Sequence, residues 1–125
     1  MIRDGLFACI GAACGFLAAL LLFQLPHYKA PRLTTDYQLV LLANGQTFFG
    51  KLQNPGSPYP VLTNVFYIQS QADPNTKSVK NSLIKRGKEW HEPDVMILNA
   101  RQIVLIEPVK ATSTVANLIK GYTGR

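Results

Sequence analysis

The stretch LVLLANGQTFFGKL, Leu39–Leu52, decides the fold of this chain. Two apolar runs flank an Asn44-Gly45 pair, and Gly50 interrupts the second run. Asparagine and glycine both tolerate the positive φ angles that a type I′ hairpin turn requires. A glycine inside a strand is typical of a bulge or a sharp bend. The stretch therefore predicts a β-hairpin whose second strand is bent.

The residues that follow also have the composition of strands. Residues 61–71, VLTNVFYIQSQ, are rich in β-branched and aromatic side chains, and they predict a long third strand. Residues 82–91, SLIKRGKEWH, predict a short strand, a turn at Arg86-Gly87 and a return through Trp90. Core packing is the simplest interpretation of Trp90, although its ring could also stack on a nucleic-acid base.

The last third of the chain predicts two strands and a helix. The strands are DVMIL (94–98) and QIVLIEPV (102–109), and a single 3₁₀ turn is the economical connection between them. A short helix is expected over about 112–121, capped by Thr112 or Ser113 and stopped by Gly121. Its apolar side chains would cover an open end of the domain.

Five or six short strands with a bent second strand are typical of a small SH3-like barrel. The stretch LVLLANGQTFFGKL resembles the first motif of Sm-like proteins, and MILNARQIVLIEP (96–108) is similar to their second motif. This resemblance implies a small barrel, and in that family the barrel binds RNA. The intervening PGSPYPVLTNV (55–65) lacks the family's acid–amide element. The Arg-Gly or Lys-His pair of the second motif is also missing, unless Arg101 is its displaced remnant. The whole chain also resembles small membrane-anchored proteins of candidate-phyla bacteria, a resemblance that implies no function.

Residues 5–25, GLFACIGAACGFLAALLLFQL, contain no Asp, Glu, Lys, Arg or His. A bilayer core about 30 Å thick needs roughly 20 helical residues, so this segment predicts a transmembrane helix. The predicted fold class is thus an N-terminal transmembrane α-helix followed by a small all-β SH3-like or Sm-like barrel with a short C-terminal helix. The predicted domains are residues 1–32, the anchor with an interfacial collar, and residues 33–125, the barrel with its helix.

Other interpretations of this segment remain open. A secretory signal could be cleaved after Ala30, but Tyr28 is large for the position it would take. A lipid could be attached to Cys14, although the apolar run continues past it, and a prepilin-like helix would be stopped early by Pro26. A helix buried inside a globular domain is a further alternative. The expected location is the cell membrane, which the chain would cross once. The Lys and Arg residues that flank the segment favour a cytoplasmic barrel by only one charge, whereas short N-terminal anchors commonly export the domain that follows, so an extracytoplasmic barrel is slightly favoured.

Small residues spaced by four recur in this segment and predict a helix-association face. Alternatively, these small residues have no role in association, since glycine and alanine are frequent in membrane helices in general. The residues of this face are Ala8, Gly11, Ala12 and Gly15.

A cluster of basic residues is the most suggestive polar feature of the chain, whose formal charge is +6. It comprises Lys77, Lys80, Lys85, Arg86 and Lys88, with no acidic residue among them. Such a cluster indicates an anionic partner, such as lipid headgroups, nucleic acid or an acidic polymer. A solvated loop that protects a strand edge is the alternative.

No motif in the chain predicts catalysis or a cofactor. His91, Glu92 and Asp94 could contribute to a metal site only with ligands from distant strands, and no metal site is expected. We therefore expect a non-enzymatic interaction or structural protein without a small-molecule substrate. Its expected partners are the lipid bilayer and either a second copy or another envelope protein, and RNA or another anionic polymer is the alternative.

Overall fold

The computed structural model describes Gly15 and residues 29–123 of the chain. Residues 29–123 form a small antiparallel β-sheet domain that ends in one helix. A 3₁₀ turn (Ala100–Gln102) separates the last two strands, and the C-terminal helix is Thr114–Thr123. The strands are β1 (Gln38–Leu42), β2 (Thr47–Gln53), β3 (Val61–Ala72), β4 (Val79–Lys85), β5 (Val95–Ile97) and β6 (Ile103–Pro108).

The strands pair in the order β4-β3-β2-β1-β6, and β5 also pairs with β3. β5 joins the beginning of β3 through Val61–Thr63, whereas β4 joins its end through Phe66–Ala72. β4 and β5 therefore share one side of β3. Within the described residues β5 and β6 do not pair with each other, so the sheet is open.

This architecture contradicts the predicted fold class of a transmembrane helix followed by a barrel. The sheet is compatible with a barrel-like curl, but it stays open because the three-residue β5 leads through a 3₁₀ turn into β6 without pairing with it. Among the residues described, none of the helices combines the length and the apolar character needed to cross a bilayer. Apart from Gly15, the segment 5–25 lies outside the described residues. The proposed domain boundaries stay predictions.

The β1–β2 hairpin is confirmed, but its turn is not of type I′. Gly45 has a φ of +83°, whereas Asn44 is not among the residues with positive φ. The Gly45 N–H donates to the Leu42 carbonyl at 2.9 Å, which makes a three-residue loop that ends in a left-handed glycine. The Asn44 side chain explains this outcome, since its Oδ1 accepts the Gln46 N–H at 3.0 Å and thereby closes the loop by itself.

The predicted irregularity at Gly50 is confirmed. The pairing of β2 with β3 shifts by one residue between Phe49 and Lys51, so Asn64 and Val65 together face Gly50. Asn64 has a φ of +48°, as expected for the first residue of such a bulge. A β-carbon on Gly50 would lie 2.6 Å from Leu62 Cγ, so only glycine allows this close approach.

Apolar side chains on both faces of the sheet form two core clusters. Neighbouring residues of a strand point to opposite faces, and this places Val65 in one cluster and Phe66 in the other. The first cluster contains Val40, Leu52, Leu62, Val65 and Leu98. The second contains Phe49, Phe66, Leu83, Val109 and Ile119, and it is completed by the C-terminal helix.

The C-terminal helix begins as predicted but ends later. Ser113 caps it, because the Ser113 Oγ accepts the Ala116 N–H at 3.1 Å. Gly121 does not stop the helix, which continues to Thr123. Tyr122 explains the two additional residues: its hydroxyl donates to the Leu83 carbonyl, and its ring packs edge-on against Phe66 with centroids 5.4 Å apart.

The outer half of the β3–β4 hairpin extends beyond both clusters as a two-stranded arm. Its side chains, Gln69–Ala72 and Val79–Asn81, are exposed. The turn at its end is closed by Asp73, whose Oδ1 accepts the Asn75 N–H at 2.8 Å. Hydrogen bonds from the backbone N–H groups of Asn75 and Thr76 hold the pKa of the Asp73 carboxyl below its usual value.

Candidate functional site

The segment 86–94, which we name the Trp90 loop, connects the end of β4 to the start of β5. Its ends lie close together, since a β-carbon on Gly87 would stand 3.6 Å from the Pro93 carbonyl oxygen. Gly87 has a φ of +124° and Glu92 a φ of +43°, so the chain reverses within the loop through two left-handed residues. The result is a compact surface loop whose tip is Trp90.

A network centred on Glu89 fixes this loop. The Glu89 carboxylate accepts the Gly87 N–H at 2.8 Å and the Arg86 Nε–H at 2.9 Å. The Glu89 carbonyl in turn accepts the Glu92 N–H at 2.8 Å. The backbone donors, Gly87 first, together with the Arg86 charge lower the pKa of Glu89 to about 2. The ionised carboxylate holds the beginning of the loop, and the Glu89 carbonyl holds its end at Glu92.

Trp90 follows this anchored carboxylate directly, and its side chain is fully exposed, with 105% of the reference area. The prediction that Trp90 packs in the core is wrong. An aromatic side chain buries about 150–250 Å² of surface when it packs, and this burial dominates the energetics of cores and interfaces. A tryptophan that is fully exposed to water is therefore unusual. Tryptophan, together with tyrosine and arginine, is enriched among the residues that contribute most to binding at protein interfaces.

A groove of about 570 Å³ lies beside the Trp90 loop. Its lining includes the side chains of Phe48, Tyr67 and Met96, residues of the β1–β2 turn, and the Arg86–Glu89 ion pair. The Arg86 guanidinium carbon lies 5.9 Å from the centroid of the Phe48 ring. The groove therefore combines an aromatic surface with a fixed ion pair.

The predicted basic residues do not form one patch. Lys77 lies in the turn of the arm, and Lys80 and Lys85 lie on β4 an odd number of residues apart, so they project from opposite faces of the strand. Arg86 is paired with Glu89, and Lys88 is exposed in the Trp90 loop. The structure places Lys85, Arg86 and Lys88 near Trp90 and separates Lys77 and Lys80 from them.

Charge near Trp90 is also balanced rather than basic. Residues 85–94 contain three basic and three acidic side chains, namely Lys85, Arg86, Lys88, Glu89, Glu92 and Asp94. Within the described part of the chain, no three His, Cys, Asp or Glu side chains are grouped closely enough to hold a metal ion.

The predicted helix-association residues Ala8, Gly11 and Ala12 lie outside the described residues. Gly15 is described, is helical and is exposed.

Sequence reasoning missed both the exposure of Trp90 and the groove. A local signal for the first existed, since charged or polar residues surround the tryptophan on both sides in GKEWHE (87–92). No local signal existed for the groove, because Phe48, Tyr67, Arg86 and Met96 come from four separate segments.

No protein-family model matches the chain, and a comparison with curated proteins returned no match.

Proposed function

We propose that this chain is a non-enzymatic interaction protein and that its β domain contacts a protein partner through the Trp90 loop and the adjoining groove. The observation that carries the proposal is the full exposure of Trp90 on a loop fixed by Glu89. Such a loop loses little conformational entropy on binding, since its backbone is already held in one geometry.

Photo-crosslinking of the full chain in its host cells tests this proposal. A photoreactive phenylalanine analogue at position 90 is expected to give discrete adducts of higher mass. The same analogue at Gln71, an exposed position on the arm, is the matched control and should give none. Equal yields at both positions, or no adduct at position 90, would contradict the proposal.

The proposed location of the protein is the cell membrane, within an assembly of the envelope. Support for it comes from the composition of residues 5–25 and not from the described domain. The β domain would then lie close to the membrane face.

Binding of an anionic polymer such as RNA is a second candidate function. Two observations favour it: Lys88 is exposed next to Trp90, and a 3₁₀ turn joins β5 to β6, as the resemblance to Sm-like proteins implies. Titration of the chain with a single-stranded oligonucleotide at several salt concentrations tests it. Binding whose affinity falls steeply with salt, and falls further in Lys88→Glu than in Lys80→Glu, would favour this candidate over a protein partner.

A further inference from the structure

The loop between β2 and β3, residues 54–60, contacts the part of the chain that enters the domain from its N-terminal side. A β-carbon on Gly56 would stand 3.1 Å from Ala30 Cβ and 3.8 Å from Pro31 Cδ. Leu33 packs against the first core cluster. The path of residues 30–33 into the domain is therefore fixed against the β2–β3 loop.

This path keeps the β2–β3 loop close to the apolar segment 5–25. Ala30 follows Leu25 by five residues. An extended chain spans at most about 3.6 Å per residue, so Ala30 lies within about 18 Å of the end of the segment. If the segment crosses a bilayer, Leu25 lies at the edge of the hydrocarbon core, and the headgroup region beyond it is about 5–8 Å thick. The β2–β3 loop is then within reach of the lipid headgroups.

A recess of about 530 Å³ lies between the β2–β3 loop and the 3₁₀ turn, lined by residues 56–59 and 99–101. The Ala100 N–H donates to the Pro58 carbonyl at 3.0 Å and joins the two segments. Ser57, one of the lining residues, has a buried Oγ without a hydrogen-bond partner among the described residues. Such an atom calls for an explanation. A phosphate oxygen would accept its hydrogen bond, and Arg101 would supply the opposite charge.

The charge of these segments favours an anionic surface as the partner. Residues 29–35, 54–60 and 99–102 contain three basic residues, Lys29, Arg32 and Arg101, and no acidic residue. All three basic residues are exposed. Residues 85–94, in contrast, contain as many acidic as basic residues. Each Lys or Arg near an anionic membrane strengthens attachment roughly fivefold, so the first surface is complementary to anionic headgroups and the Trp90 loop is not.

Tyr59 adds an aromatic side chain to this surface. It is 64% exposed and lines the recess. Tyrosine is enriched at membrane–water interfaces, where its ring meets apolar groups and its hydroxyl meets water. We infer that residues 29–32, the β2–β3 loop and the 3₁₀ turn, together named the Tyr59 surface, face the bilayer and bind anionic phospholipid headgroups. The inference rests on the proposed membrane location and does not depend on what Trp90 contacts.

The course of β3 supplies an internal reference for a test. Val61 follows the Tyr59 surface directly, and Gln71 lies ten residues further along the strand, up to about 33 Å away. Gln71 is exposed on the arm. A probe at position 71 should therefore lie far from the headgroups when a probe at position 59 touches them.

Quenching of tryptophan fluorescence by labelled lipids measures this orientation. Trp90 is the only tryptophan, so Trp90→Phe combined with Tyr59→Trp or with Gln71→Trp gives two full-length chains with one probe each. Each is placed in lipid nanodiscs of phosphatidylcholine, phosphatidylglycerol and a lipid with a nitroxide on its headgroup. The two faces of the disc have the same composition, so membrane orientation does not affect the result. We expect several-fold stronger quenching at position 59 than at position 71, and weaker quenching at position 59 without phosphatidylglycerol.

Charge reversal in the chain that carries Tyr59→Trp tests the contribution of Arg101. Arg101→Glu should lower the quenching several-fold, and Arg101→Gln, which removes the charge without reversing it, should give an intermediate value. Lys80→Glu makes the same change of charge on the arm and is the matched control, which should leave the quenching unchanged.

Two results would overturn the inference and leave the membrane location intact. One is equal quenching at positions 59 and 71. The other is quenching at position 59 that neither Arg101→Glu nor the omission of phosphatidylglycerol changes; if Arg101→Glu then weakens binding of a single-stranded oligonucleotide, the surface belongs to nucleic acid. A chain that does not stay with the nanodiscs at all would overturn the membrane location together with the inference.

Discussion

Gly50 of β2 lies against Leu62 of β3 so closely that a β-carbon on Gly50 would stand 2.6 Å from Leu62 Cγ and 2.8 Å from the Thr63 carbonyl oxygen. Leu62 is fully buried in the first core cluster, and the Thr63 contact is to backbone. Movement of Leu62 would disturb the first core cluster, and movement of Thr63 would disturb the pairing of β2 with β3.

We therefore predict that Gly50→Ala destabilises the domain by about 1–3 kcal/mol, the usual cost of an overpacked core. Gly121→Ala is the matched control, since a β-carbon there would touch nothing and the site is helical. The control should raise the free energy of unfolding by about 0.5–1 kcal/mol. Urea unfolding followed by circular dichroism measures both, and a neutral Gly50→Ala would contradict the close packing.

The C-terminal helix is predicted to stabilise the sheet mainly through Ile119. Ile119 is 3% exposed in the second cluster, so Ile119→Ala should cost about 2–5 kcal/mol. Tyr122→Phe removes only the hydroxyl that donates to the Leu83 carbonyl, and we expect a loss of about 1 kcal/mol. Leu118→Ala, at an exposed position of the same helix, is the control for helix propensity. The same urea measurement ranks the three variants, and a Leu118→Ala as damaging as Ile119→Ala would contradict this packing.

The Trp90 loop should loosen in acid. Folding lowers the pKa of Glu89 from 4.5 to about 2, so the folded state favours the ionised form. The stabilisation is complete above pH 4.5 and is lost as the pH falls toward about 2. Backbone amide exchange at Gly87 measures the loosening, because this N–H donates to the carboxylate.

Glu89→Gln is the control for this titration, since it cannot ionise. In this variant, the rate of amide hydrogen exchange at Gly87 should change between pH 4.5 and pH 2 only as much as the intrinsic exchange rate of an unprotected amide does. The free energy of unfolding of this variant should still fall in acid, because the pKa of Asp73 is also lowered in the folded state. If amide exchange at Gly87 has the same pH dependence in the wild-type protein and in Glu89→Gln, the proposed role of the Glu89 carboxylate in fixing the loop would be contradicted.

The protein is predicted to sediment with the membrane fraction of its host cells. Residues 5–25 carry no charged side chain, and their transfer to lipid is favourable. Detergent should release the protein, whereas high salt should not. Release by salt alone would indicate attachment through the charged surface of the β domain instead.

The sequence predicted those elements whose signals are local. The β1–β2 hairpin, the bend at Gly50 and the 3₁₀ turn Ala100–Gln102 each follow from a few neighbouring residues, and all are present. The predicted type I′ turn was wrong, because the hydrogen bond from the Gln46 N–H to the Asn44 side chain decides the conformation of the loop.

Long-range features could not be predicted in the same way. The pairing of both β4 and β5 with β3 joins segments that are distant in sequence, and the openness of the sheet follows from the absence of pairing between β5 and β6 in the described residues. The groove is such a feature, because its lining residues come from four separate segments.

β3 passes through two environments along its length. Leu62, Val65 and Phe66 are buried between neighbouring strands, whereas Gln69–Ala72 have β4 as their only partner and no core beneath them. One continuous strand thus belongs to two cooperative units: the arm can unfold locally while the part of β3 in the core stays folded. Local opening should begin at the turn near Asp73 and stop where the strand meets Phe66, so the arm can yield to a force or a protease while the surface around Trp90 keeps its shape.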